Sequence, residues 1–109
     1  VTVAEFADAL RLETILLPDA QRSVTGGYTG DLLSWVMGRA QSGDCWITVM
    51  SNVNVAAVAQ LADVACVVFA EGVQPDSATR SAAETHGINL LGSAESAFTL
   101  CAEAARLLP

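Results

Sequence analysis

Four short polar groups interrupt an otherwise apolar chain: Gly26, Gly27, Thr29 and Asp31 within the run Arg22–Asp31, then Ser51, Asn52 and Asn54, then Glu71 beside Gly72, and last Ser93 beside Gly92. Glycines let backbone approach a ligand closely. Ahead of a helix, the Gly26-Gly27-x-x-Gly30 pattern could cradle an anion with its N–H groups. Asp31 works against that, because it would repel a phosphate and is itself a good N-cap. The stretch therefore reads either as a structural turn or as a ligand loop. The other three groups each follow an apolar run and precede a helical pattern. That is the position beyond the carboxyl ends of parallel strands where open α/β sheets bind ligands. Short Ser and Asn side chains there could orient a small polar ligand, or could only cap helices. Asp31 and Glu71 together favour a ligand with donor groups, such as a nucleobase or ribose, over a bare polyphosphate. The candidate ligand set is Gly26, Gly27, Thr29, Asp31, Ser51, Asn52, Asn54, Glu71 and Ser93.

Other chemistry is excluded on residue type. The chain contains no Lys, which removes a Schiff base, a P-loop lysine and a Ser-Lys dyad. The one His, His86, closes a helical pattern and has no triad partner in its context, so no catalytic residue is assigned. Asp8 and Glu13 read as solvated surface. Cys45, Cys66 and Cys101 form no CxxC and lie in apolar runs or on an apolar helix face, which reads as buried free thiols; no metal ligand is assigned. Five Arg against twelve acidic residues give a net charge of −7. Phosphate backbones are bound through Lys and Arg, so neither nucleic acid nor an anionic membrane surface is an expected partner. Residues 45–62 carry no charge, but Ser51, Asn52 and Asn54 in their midst argue against a membrane span. With no basic, apolar leader pattern and an odd number of unpaired thiols, a cytoplasmic setting is expected.

These groups must be positioned by one domain over residues 1–109. Val3, Phe6, Ala7 and Leu10 recur at helical spacing, with Thr2 and Glu5 at the spacing of a capping box. Thr14–Leu17 reads as a strand, with another short one at 22–25 before the glycines. Asp31 is expected to cap a helix through Ala40. Three β-then-α units follow: strand 45–50 and helix 54–62, strand 64–70 and helix 75–86, strand 88–91 and a helix to Leu107 capped by Ser93. Gly87 marks a helix stop. Continuous apolar strands between helices predict an α/β fold, a mostly parallel sheet of four or five strands with helices on both faces. In the last helix Ala97, Phe98, Cys101, Ala104, Ala105 and Leu108 form a stripe that Leu100 and Leu107 widen. With Trp35 to the side of its own stripe, this predicts a homodimer or higher oligomer.

The segment Val24-Thr25-Gly26-Gly27-Tyr28-Thr29-Gly30-Asp31-Leu32-Leu33-Ser34, followed by Ile47–Asn54 and by Ala62–Gly72, resembles the DRTGG domain family. The resemblance runs over roughly residues 10–108. It implies a fold like the N-terminal domain of HPr kinase/phosphorylase, also found in some phosphate acetyltransferases and beside CBS domains. It further implies a regulatory role, with stand-alone forms accompanying hydrogenase and redox genes. The attached kinase domain and its G-x-x-x-x-G-K-[ST] motif are not in this sequence, so no kinase activity is carried over. Two functional classes follow. One is a non-catalytic regulatory domain binding a small metabolite or nucleotide. The other is an oligomerising scaffold or interaction subunit without a small-molecule ligand. No cofactor is specified.

Overall fold

The computed structural model describes residues 1–109. The elements run α1 (Val3–Leu10), β1 (Glu13–Leu16), β2 (Gly26–Thr29), α2 (Leu33–Arg39), β3 (Asp44–Thr48), α3 (Asn54–Ala62), β4 (Cys66–Phe69), α4 (Ser77–His86), β5 (Leu90–Gly92) and α5 (Ala97–Leu107). The strands form one sheet in the order β1-β5-β4-β3-β2. Pairs β2–β3, β3–β4 and β4–β5 are parallel, and β1 lies antiparallel on β5. The expected mostly parallel α/β sheet is thus observed, with five strands.

Alternation along the strands explains why both faces are covered. Cys45, Ile47, Cys66 and Val68 point into a core with Phe6 and Leu10 of α1 and Leu100 and Ala104 of α5. Trp46, Val67 and Phe69 point into a second core with Val36, Val55, Ala59 and Ala83 of α2, α3 and α4. The parallel strands succeed one another in a single direction across the sheet. Right-handed crossovers then place α2, α3 and α4 on the same face. No helix is long and apolar enough to cross a membrane.

Local signals account for many boundaries. The Thr2 hydroxyl accepts the Glu5 N–H at 3.1 Å and the Glu5 carboxylate accepts the Thr2 N–H at 2.9 Å, completing the capping box. Gly87 ends α4 in the left-handed region, φ 69°. Asn89 is buried and bonded three times. Its amide donates to Asp19 O and Ala65 O, and its Oδ1 accepts the Asp19 N–H, each at 2.9 Å. It thereby fastens the β1–β2 connection to the sheet.

Four local expectations are corrected. The strand expected at 22–25 is instead β2 at Gly26–Thr29, so the glycines lie in a strand and not in a turn. Asp31 does not cap α2; Leu32 holds the N-cap position and makes no side-chain cap bond. The cap of α5 is Ser96, which accepts the Thr99 N–H, and not Ser93. Leu100 does not widen an outer face, because it is fully buried, and Leu107 packs against the same core. The phase of α5 instead turns Phe98 outward, 85% exposed.

Candidate functional site

The nine candidate residues fall into two places. Register pairs Thr29 with Ile47, Thr48 with Phe69, and Phe69 with Gly92. Asp31, the Ser51–Asn54 loop, Glu71 and Ser93 therefore gather along the carboxyl edge of the sheet, as expected. Gly26 and Gly27 start β2 and pair with Asp44 and Cys45. They lie about 10 and about 7 Å from that edge, at roughly 3.3 Å per residue.

At the carboxyl edge most polar groups hold the chain's own loops. Asp31 Oδ1 accepts the Thr48 hydroxyl at 2.7 Å and the Val49 N–H at 2.9 Å, which ties the exit of β2 to that of β3. Asn52 Oδ1 accepts the Asn54 N–H at 2.7 Å and so organises the start of α3. The Ser51 carbonyl accepts the buried Thr79 hydroxyl of α4 at 3.1 Å. Ser93 Oγ accepts the Glu95 N–H at 3.0 Å. None of these side chains holds a helix N-cap position, so their bonds close loops and do not cap helices.

Strands β4 and β5 make the one place where neighbouring parallel strands lead to helices on opposite faces. This is the crevice where such sheets usually bind ligands. Here it is sealed by backbone. Glu71 N–H donates to Glu95 O, Gly72 N–H to Ser93 O, both at 2.8 Å, and Ser93 N–H to Phe69 O at 2.9 Å. Glu71 pays for this with a left-handed conformation, φ 60°, followed by Gly72 at 76°. The Val73 N–H closes the turn onto Ala70 O at 3.1 Å. Positive φ at both central residues is the type I′ pattern, which Gly72 accommodates freely and Glu71 does not. The Glu71 side chain is exposed.

The second place is a groove of about 350 Å³ between β2 and the end of α5. Its floor is Cys45 and Ile47, and Gly26–Thr29 form one side. Cys101, Ala104, Ala105, Leu108 and Pro109 form the other. Gly27 keeps it open: a Cβ there would meet Cys45 Sγ at 3.2 Å and Leu108 Cδ1 at 3.8 Å. The lining contains no charged side chain. Burial pushes the Cys45 thiol up to about 12, with the neighbouring Asp44 charge adding to the effect. It is a neutral wall and not a nucleophile. Cys66 is also raised by burial, and all three cysteines are free thiols. Gly26, Gly27 and Thr29 were singled out in the sequence as part of a turn. The opposite wall was not, since nothing local in residues 101–109 signals a cavity.

The remaining candidates are smaller. A polar hollow of about 110 Å³ at the amino ends of the strands contains His86, Asn89, Arg22 and Asp63. Arg22 donates to Asp63 Oδ1 at 3.0 Å and to Asp63 O at 2.8 Å, so this pair latches two loops together. No group of three or more His, Cys, Asp or Glu side chains is arranged to hold a metal ion.

No family model matches the sequence, and no curated protein matches it. The fold is similar to a crystal structure of the CBS and DRTGG domains from the regulatory region of a Clostridium perfringens pyrophosphatase, complexed with its activator diadenosine tetraphosphate. The TM-score is 0.78 at 14% identity, over 99% of this chain and 47% of the other. This chain thus spans about half the length of that one. At this identity the likeness is one of fold.

Proposed function

We propose that this chain is a non-catalytic regulatory domain of the DRTGG kind that binds a small metabolite or nucleotide in the groove between β2 and α5. The observation that carries this reading is the groove held open by Gly27. At about 350 Å³ it falls in the size range of small-molecule sites, and it has the mostly apolar lining such sites share. The similar pyrophosphatase region is regulatory and is bound to an adenine dinucleotide. An uncharged groove on a chain of net charge −7 suits the base of such a ligand better than its phosphates. The carboxyl-edge residues Asp31, Ser51, Asn52, Asn54, Glu71 and Ser93 then serve as the frame that fixes β2 and its neighbours, with Glu71 free to meet any part of a ligand reaching that edge.

A second reading, an oligomerising scaffold, is favoured by exposed apolar side chains. Leu32, Trp35 and Met37 are each more than half exposed in and beside α2, and Phe98 stands out from α5. Arg39 stacks on the Trp35 ring at 3.6 Å, which covers one of its faces. A homodimer through such a patch is compatible with the groove reading.

Saturation-transfer NMR with a nucleotide and metabolite panel, run beside sedimentation velocity, separates the two. The first reading expects at least one binder. Stable self-association with no binder would support the scaffold instead.

A further inference from the structure

Resting on the groove as the ligand site, we infer that its ligand is a neutral, planar heteroaromatic ring carrying an amino donor next to a ring acceptor. The inference comes from the outer edge of β2. That edge faces no strand, because β2 ends the sheet. At the exit of β2 the Gly30 N–H donates to Ile47 O, toward β3, at 3.3 Å. Main-chain groups alternate sides along a strand. The N–H and C=O groups of Gly26 and Tyr28 therefore face β3, and those of Gly27 and Thr29 point away from it, along the rim of the groove.

The Gly27 carbonyl and the Thr29 N–H are an acceptor and a donor two residues apart on one edge. A ring with a donor and an acceptor on adjacent positions can meet both at once. Its faces would then lie against the apolar surface of Ala105 and Leu108, beside the glycines of β2. A bare anion meets no cationic side chain there, since the lining is uncharged. An aliphatic ligand would fill the slot but leave the strand edge unanswered.

The test is a ¹⁵N–¹H titration of the whole chain with adenine, purine and hexanol, repeated on Ala105→Phe and Gly27→Val. Purine keeps the ring but lacks the exocyclic amine. Ala105 is exposed, so Phe there fills the slot from outside without disturbing the fold. The expected result is that adenine shifts the Gly27–Thr29 amides, that purine binds at least about tenfold more weakly, and that Ala105→Phe abolishes both. Adenine binding no tighter than purine, or adenine shifts centred on Ser51–Asn54 and Glu71, would overturn the inference. If hexanol binds in the groove and is displaced by Ala105→Phe while adenine does not bind, the ring inference fails and the groove reading stands. If no probe and no member of the nucleotide panel binds, both fail.

Discussion

The Asp31 carboxylate sits 2.7 Å from the Thr48 hydroxyl and 2.9 Å from the Val49 nitrogen, joining the exits of two adjacent parallel strands through one acceptor. Thr48 is buried and passes the chain on, accepting the Met50 N–H at 3.1 Å. Removing the acceptor leaves a buried hydroxyl and an amide to find new partners. Asp31→Ala is expected to lower stability by about 1–3 kcal/mol, and Asp31→Asn by less, because the amide oxygen can still accept. Urea unfolding measures this. A wild-type midpoint for Asp31→Ala would mean that Asp31 is not a structural clamp.

Asn89 is the corresponding clamp at the other end of the sheet. Its three bonds satisfy Asp19 and the Ala65 carbonyl, and it is 2% exposed. Asn89→Leu should destabilise by about 1–3 kcal/mol, since it leaves the buried Ala65 carbonyl unpaired and cuts both bonds to Asp19. A loss below about 0.5 kcal/mol, within the ordinary range for surface substitutions, would contradict this account of the β1–β2 connection.

The three thiols should differ in reactivity. Cys45 and Cys66 are buried and their thiols are pushed up, away from the thiolate form. Cys101 is half-buried at the groove wall. A maleimide at about pH 8, near the free-thiol range, should label Cys101 first and reach the other two only on unfolding. A ligand in the groove should slow that labelling. Equal rates at all three sites would show that the groove and the cores open together.

Stability should fall in acid. Glu5 is held below the usual carboxylate range by the Thr2 backbone N–H, Asp63 by the Ser42 hydroxyl and Arg22, and Asp76 by the Thr79 backbone N–H. A lowered folded pKa contributes stability above the unfolded value, and that stability is lost as pH falls through the folded value. Glu95 moves the opposite way, raised chiefly by a hydrogen bond with Glu103. Its contribution is present in acid and disappears as pH rises through its folded pKa. Three lowered groups against one raised predict a net loss below about pH 4. Denaturant midpoints against pH should show it, and Asp76→Asn should flatten that acid limb. An unchanged limb would remove Asp76 from the explanation.

Much of the architecture was legible because it rests on local patterns. The apolar run at 64–70 and the β/α alternation after it specify a covered parallel sheet, and the Thr2–Glu5 pair marks its helix by spacing alone. What was misread depends on packing between distant segments. Gly26 and Gly27 carry low strand propensity, yet they form β2, where a Cβ would meet Asp44 Oδ1 at 2.6 Å from Gly26 and Cys45 Sγ at 3.2 Å from Gly27. Ser93 and Ser96 are equivalent caps by residue type. The backbone bonds joining Ser93 to Phe69 and Gly72 remove it from the helix start. Asp31 has good cap chemistry, but the strand exits claim its carboxylate. The carboxyl-edge candidates were correctly placed side by side. The groove could not be foreseen, since its walls come from the first parallel strand and the last helix.

The central claim is that the groove between β2 and α5 is the ligand site of a regulatory domain. Thermal melting of the wild-type chain and of Ala105→Phe, each with and without the nucleotide and metabolite panel, tests it most directly. A ligand at 100 times its Kd adds about 2.7 kcal/mol, on the order of 10 °C for a domain of this size. The account predicts that at least one compound raises the wild-type Tm by such an amount and leaves the Tm of folded Ala105→Phe unchanged. A compound that raises both equally, or a panel that raises neither, would contradict it.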